Sequence, residues 1–137
     1  DLHLSIRRQR QMCIRDSPNP PVGAVIVSPA GEIVGVGATQ PVGGAHAEVM
    51  ALREAGDRAR GATAVVTLEP CAMCAGAIQA SRVSSVVFGA FEPKTGACGS
   101  LVDVLRAPGA LHVPEVRGGV LEGECATMLT DFFGGIR

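Results

Sequence analysis

No apolar run in these 137 residues approaches the roughly 20 needed to cross a bilayer as a helix, and no secretory lead is visible. There is no internal repeat and no low-complexity tract. The body of the chain holds no basic run. Formal net charge is -1, and within residues 1–17 Arg7, Arg8, Arg10 and Arg15 face only Asp1 and Asp16, so the remainder is acidic. A protein that grips RNA mainly through phosphates shows a basic face. Any RNA contact here is therefore expected to be local, or built across an oligomer. An even cysteine set is also missing, since the count is 5. Cys13, Cys98 and Cys125 read as thiols in a reducing compartment, which makes the cytosol the expected location.

What is present fits one globular domain, long enough to build a core without staples. Residues 1–17 (DLHLSIRRQRQMCIRDS) look foreign to the rest and show no clean helical stripe. They are expected to be a non-native or disordered segment, the other reading being a basic amphipathic first helix. The domain is expected over residues 18–137. Val22 to Val27 and Glu32 to Val36 flank the turn residues Pro29-Ala-Gly31 and predict a β-hairpin. A Gly/Pro loop from Thr39 to Ala45 feeds a helix starting near His46, with Val49, Leu52 and Ala55 as its core stripe and Gly61 as its close. Thr63 to Leu68 predicts a buried strand. Pro70 suits the first turn of a second helix. Val83 to Gly89 predicts another strand, and Gly96 to Arg106 a loop ending in a short helix through Leu101 and Leu105. A last strand is expected over Leu111 to Val116, broken by Pro114, and a closing helix from Leu121 to Phe133. Strands alternating with helices give an α/β fold, with the crevice where helix starts meet strand ends.

The chemistry concentrates in His46-Ala-Glu48 and Pro70-Cys71-Ala-Met-Cys74. Each piece alone is weak: Cys-x-x-Cys is as often a redox pair or half of a zinc knuckle. Together they supply one imidazole and two thiolates, the donors that zinc prefers, and leave a fourth position for water. A structural site would need a fourth ligand, and Cys98 and Cys125 each stand alone in the sequence. Cys71 and Cys74, three apart, share a helix face, and a helix start favours thiolates. Glu48 stands two residues from His46, close enough to reach a bound water without ligating the metal.

The pattern His-x-Glu followed by Pro-Cys-x-x-Cys resembles that of the cytidine-deaminase-like zinc deaminases, and the likeness runs over residues 18–137. The second half resembles bacterial tRNA-specific adenosine deaminases: Thr67-Leu-Glu-Pro-Cys-Ala-Met-Cys-Ala-Gly-Ala-Ile78, Val86-Val-Phe-Gly-Ala90, Lys94-Thr-Gly-Ala97, Gly99-Ser100 and Asp131-Phe-Phe133. The first half resembles the pyrimidine deaminase of riboflavin biosynthesis, through Asn19-Pro-Pro-Val-Gly-Ala-Val, Val42-Gly-Gly-Ala-His-Ala-Glu48 and Ala59-Arg-Gly-Ala-Thr63. Thr39 stands where the first family tends to have Asn and the second His. A natural intermediate and a composite joined near Thr67–Cys71 both account for this division.

The resemblance implies a three-layer α/β/α sandwich around a mixed sheet of about five strands. It implies zinc on His46, Cys71 and Cys74, with Glu48 moving protons in a hydrolytic deamination. Substrate contacts are expected at Val22, Thr39, Ala47, Lys94 and Ser100, with Phe132 and Phe133 as stacking or core residues. The partner is expected to be a tRNA anticodon arm or a small pyrimidine nucleotide, and the assembly a homodimer. A non-catalytic deaminase-like subunit is the third reading, and the intact Glu48 argues against it.

Overall fold

The computed structural model describes residues 22–40 and 44–127. The expectations for residues 1–17, for the lead-in up to Pro21 and for Phe132 and Phe133 lie outside them. In chain order the elements are β1 (Gly23–Val27), β2 (Ile33–Ala38), α1 (Ala47–Ala55), a 3-10 turn (Gly56–Ala59), β3 (Thr63–Leu68), α2 (Ala72–Ala80), β4 (Ser85–Ala90) and β5 (Glu115–Arg117). Residues 122–127 are helical.

The expected hairpin is β1 and β2, antiparallel from Gly23 opposite Ala38 to Val27 opposite Ile33. Its turn closes because Ser28 N–H donates to the Glu32 carbonyl at 2.8 Å and Gly31 N–H to the Ser28 carbonyl at 2.9 Å. Gly31 holds φ at +88°, a conformation open to glycine because it has no Cβ.

Five strands form one sheet in the order β2-β1-β3-β4-β5. β1 is antiparallel to β2 and β3, whereas β3, β4 and β5 pair in parallel. Four strands thus run one way and β1 the other. The carboxyl ends of β2, β3 and β4 share an edge with the start of β1. The segments that leave β2, β3 and β4 there lead to His46, Cys71 and Lys94, so topology alone gathers them at the edge where such sheets open a crevice.

Alternation along the strands divides the core. Ala64, Val66, Val86 and Phe88 pack with Ala51, Leu52 and Ala55 of α1 and with Ala75 and Ile78 of α2. Val65 and Val87 face the other side, against Cys125 and the partly buried Val120 and Leu121. Two helices cover one face and the segment around residues 122–127 the other, which gives the three layers expected from the sequence.

Helix α1 lies on β2 with almost nothing between the backbones. A Cβ on Gly37 would overlap the Ala47 carbonyl, and one on Gly35 would overlap that of Ala51. The buried stripe of α1 is accordingly Ala47, Glu48, Ala51, Leu52 and Ala55, with Val49 only half-buried.

Several expected boundaries move. α1 ends at Ala55 with Gly56 as its cap at φ +55°, five residues ahead of the expected Gly61. Arg58 fixes that end, its guanidinium donating to the carbonyls of Ala55, Glu54 and Val34 at 3.3 Å each, as a cation at a helix C-terminus does. Pro70 precedes the Cys71 cap and is outside the first turn of α2. β4 starts two residues after the expected Val83. β5 is only Glu115–Arg117 and follows the buried Pro114, because proline has no N–H for the ladder. Over residues 96–106 there is no helix. Leu101 and Val102 N–H both return to the Gly96 carbonyl, at 3.0 and 3.3 Å, and isolated bridges join Cys71 to Gly96 and Cys98 to Asp103.

Gly37→Ala should lower folding stability by about 1–3 kcal/mol through overpacking, read as a lower urea midpoint. An unchanged midpoint would mean that α1 is not seated on β2 as described.

Candidate active site

His46 is the N-cap of α1 and Cys71 the N-cap of α2, both in extended conformation. Ser, Thr, Asp and Asn favour this position because their side chains accept a bond from the first turn, worth about 0.5–2 kcal/mol. Neither His46 nor Cys71 makes such a bond, so stability is forgone and both side chains point elsewhere. They point at one another and at Cys74, one turn into α2. His46 Nδ1 lies 3.7 Å from Cys71 Sγ and 3.3 Å from Cys74 Sγ, and the three donor atoms fall within 4.8 Å of one another.

Zinc fits this set. With Zn–N near 2.05 Å and Zn–S near 2.3 Å, tetrahedral neighbours of the two kinds stand about 3.6 Å apart, which matches both observed separations. Exposure falls from His46 through the half-buried Cys71 to the buried Cys74, so one side of the cluster faces protein and the other solvent. Cys98 and Cys125 do not join it, and no disulfide ties any of the four described cysteines.

Glu48 sits in the first turn of α1 and is only 6% exposed. Its negative charge acts on the Cys74 thiol. Burial, then Glu48, then Cys71 push that thiol's pKa upward. The sequence predicts the opposite, a thiol acidified by the helix start. Burial and the adjacent negative charge outweigh the helix end. A thiol that ligates a metal would nonetheless lose its proton to water, leaving the thiolate as donor.

The five expected substrate-contact residues fall at three places along the same sheet edge. Val22 and Thr39 meet across the open ends of β1 and β2: Val22 N–H donates to Thr39 Oγ1 at 2.7 Å, and Thr39 N–H to the Val22 carbonyl at 2.9 Å. Ala47 is buried as the first residue of α1. Lys94 and Ser100 are exposed on the loop after β4. That loop is clipped to the metal-ligand turn by the Cys71–Gly96 bridge and by Ala97 N–H donating to the Pro70 carbonyl at 2.8 Å.

Sequence reasoning missed Glu69, which is 3% exposed. One of its oxygens accepts from the backbone N–H groups of Cys98 at 3.1 Å and Ser100 at 3.0 Å. The other accepts from Glu92 N–H at 2.9 Å and from the Ser100 hydroxyl. A carboxylate offers about four lone-pair sites, and these four donors fill them. Hydrogen bonds to a charged group contribute about 1.5–3 kcal/mol each, enough to set the path of the loop and to prevent a helix there. The available sequence signal was an acidic residue between the buried strand Thr63–Leu68 and Pro70, with no solvent-facing place to go.

Residues 2–90 match the family described as the cytidine and deoxycytidylate deaminase zinc-binding region. The chain is 47% identical over 126 residues to the tRNA-specific adenosine deaminase of Bacillus subtilis (strain 168), a match that covers 85% of this chain and 78% of that protein. It is 50% identical over 112 residues to the riboflavin biosynthesis protein RibD of Corynebacterium ammoniagenes, covering 72% of this chain but only 33% of that longer protein. Among solved structures, RibD of Acinetobacter baumannii superposes with a TM-score of 0.80 at 34% identity, over 98% of this chain and 39% of that one. A structure from a study of tRNA:A34 deaminases gives 0.72 at 37% identity, over 79% of this chain and 84% of that one.

Loading the metal must displace the Cys74 proton that burial and Glu48 help retain, so zinc binding should tighten as pH rises. The expected gain is about tenfold per pH unit for each proton released, measured by chelator competition between pH 6 and 8. An affinity independent of pH would contradict the thiol ligands.

Proposed function

The chain belongs to the cytidine and deoxycytidylate deaminase zinc-binding family, and we propose that within it this protein converts the wobble adenosine of tRNA to inosine. Zinc-dependent hydrolytic deamination is the activity its family implies. The observation that carries a working enzyme, as opposed to a scaffold, is the buried Glu48 carboxylate, whose charge acts on the metal donor Cys74.

In this reading His46, Cys71 and Cys74 hold zinc, which supplies a water acidified toward neutral pH as the nucleophile. Glu48 takes one proton from the attacking water and passes it to the ring nitrogen, then takes the second proton of that water and passes it to the departing amine. Backbone N–H groups at the starts of α1 and α2, around Ala47 and Cys71, lack partners within their helices. They are available to the oxygen that gains negative charge. Val22 and Thr39 line one side of the opening; Lys94 and Ser100 line the other.

The Bacillus relative supports the tRNA substrate, because that match runs through most of both proteins. The RibD relatives favour a second reading, deamination of a phosphoribosylated diaminopyrimidine in riboflavin biosynthesis, with higher identity over a shorter stretch and a higher TM-score. A homodimer belongs to the proposal. Exposed Met73, Leu101 and Val102, on the two segments joined by the Cys71–Gly96 bridge, are the apolar surface that pairing would cover.

Glu48→Ala should keep zinc and lose turnover by between about a hundred- and ten-thousandfold; full activity in the zinc-loaded variant would refute the proton-carrying role. Ammonia release from an anticodon stem-loop bearing wobble adenosine, set against the riboflavin-pathway pyrimidine, decides the substrate. Turnover of the pyrimidine alone would overturn the tRNA assignment.

A further inference from the structure

The loop after β4 has little regular structure, yet its donors converge on one side chain from another part of the chain. Glu69 lies two residues ahead of Cys71, at the carboxyl end of β3. Its carboxylate gathers Glu92, Cys98 and Ser100, residues 23 to 31 positions later in the chain. Gly96 completes the fit: a Cβ there would overlap a Glu69 oxygen. The segment that supplies two metal donors and the segment that carries Lys94 are thus locked together by a buried group that is itself neither exposed nor part of the metal cluster.

We infer that Glu69 is a positioning residue, which holds residues 92–100 against the metal-ligand turn and so sets the affinity for substrate without entering the chemical step. The Ser100 hydroxyl donates its proton to Glu69 and therefore faces a substrate only as an acceptor. Lys94 gains its place indirectly. Its backbone N–H donates to the Glu92 side chain at 3.0 Å, and the Glu92 backbone N–H donates to Glu69. This inference rests on the deaminase activity but not on which of the two substrates is turned over.

The test is Glu69→Gln in the full-length, zinc-loaded chain. The amide keeps the size of the carboxylate but replaces one acceptor oxygen with a donor. KM and kcat are measured on the stem-loop and on the pyrimidine in parallel, with zinc content and amide exchange at Glu92, Cys98 and Ser100. The expected result is unchanged zinc content, kcat within about threefold, KM raised about tenfold or more on the active substrate, and faster exchange at the three amides. An unmoved KM, or amides that keep their protection, would overturn the inference. So would a loss of zinc and kcat together, since that marks a role in the metal site or the fold at large. If wild type turns over neither substrate, the substrate assignments fail and amide exchange alone decides. If Glu69→Gln does not fold, Ser100→Ala replaces it. This variant should speed exchange at Glu92 and Cys98 and raise KM, and Ser100→Thr, which retains the hydroxyl, should restore both. No change at those two amides would again overturn it.

Discussion

Helix α1 and strand β2 approach so closely that neither Gly35 nor Gly37 has room for a side chain. The contact fixes more than a helix on a sheet. Gly37 meets the carbonyl of Ala47, the residue between His46 and Glu48, so the start of α1 is placed directly by the backbone of β2. Small residues make this possible: Ala47, Ala51 and Ala55 form most of the buried stripe. Interiors are close-packed, and a larger residue in either partner would lift the helix and carry the imidazole and the carboxylate with it.

The second half of the site is placed from β3. That strand is buried along its centre and registered in parallel with β4, and its carboxyl end delivers Glu69, Pro70 and Cys71 in immediate succession. Two helix starts thereby face one another across the sheet edge, each with a metal donor at its N-cap where a capping side chain would have served stability. Neighbouring Glu69 does for the outer loop what Gly37 does for α1. Both are supports that never touch the reacting atoms. An active site of this kind needs donors held within fractions of an ångström, and here the precision comes from strand ends, with loops tied down afterwards.

Much of this was legible in the sequence. His46, Glu48, Cys71 and Cys74 were legible because each motif places its donors within a single helical turn, so spacing reports geometry. The hairpin was legible from Pro29-Ala-Gly31, and β3 matched its expected bounds, since β-branched runs bounded by turns admit few readings. In the stripe of α1, Leu52 and Ala55 were read correctly, whereas Val49 stood in for Ala47, Glu48 and Ala51 because alanine buries little area and gives a weak periodic signal. Residues 96–106 were misread as partly helical because Glu69, 27 to 37 positions upstream, dictates their path through bonds that no local pattern encodes. The thiol of Cys74 went the wrong way for a related reason: the helix start is a local effect, whereas burial and the Glu48 charge come from the packing of α1 on α2.

The central claim is that two helix starts bring one imidazole and two thiolates to a single zinc. Zinc K-edge absorption spectroscopy of the loaded chain tests it most directly, since sulfur shells near 2.3 Å separate from nitrogen and oxygen shells near 2.0–2.1 Å. The account predicts two sulfur donors, one histidine nitrogen and one further light atom, from Cys71, Cys74, His46 and water. Three or four sulfurs, or no imidazole signature, would contradict it.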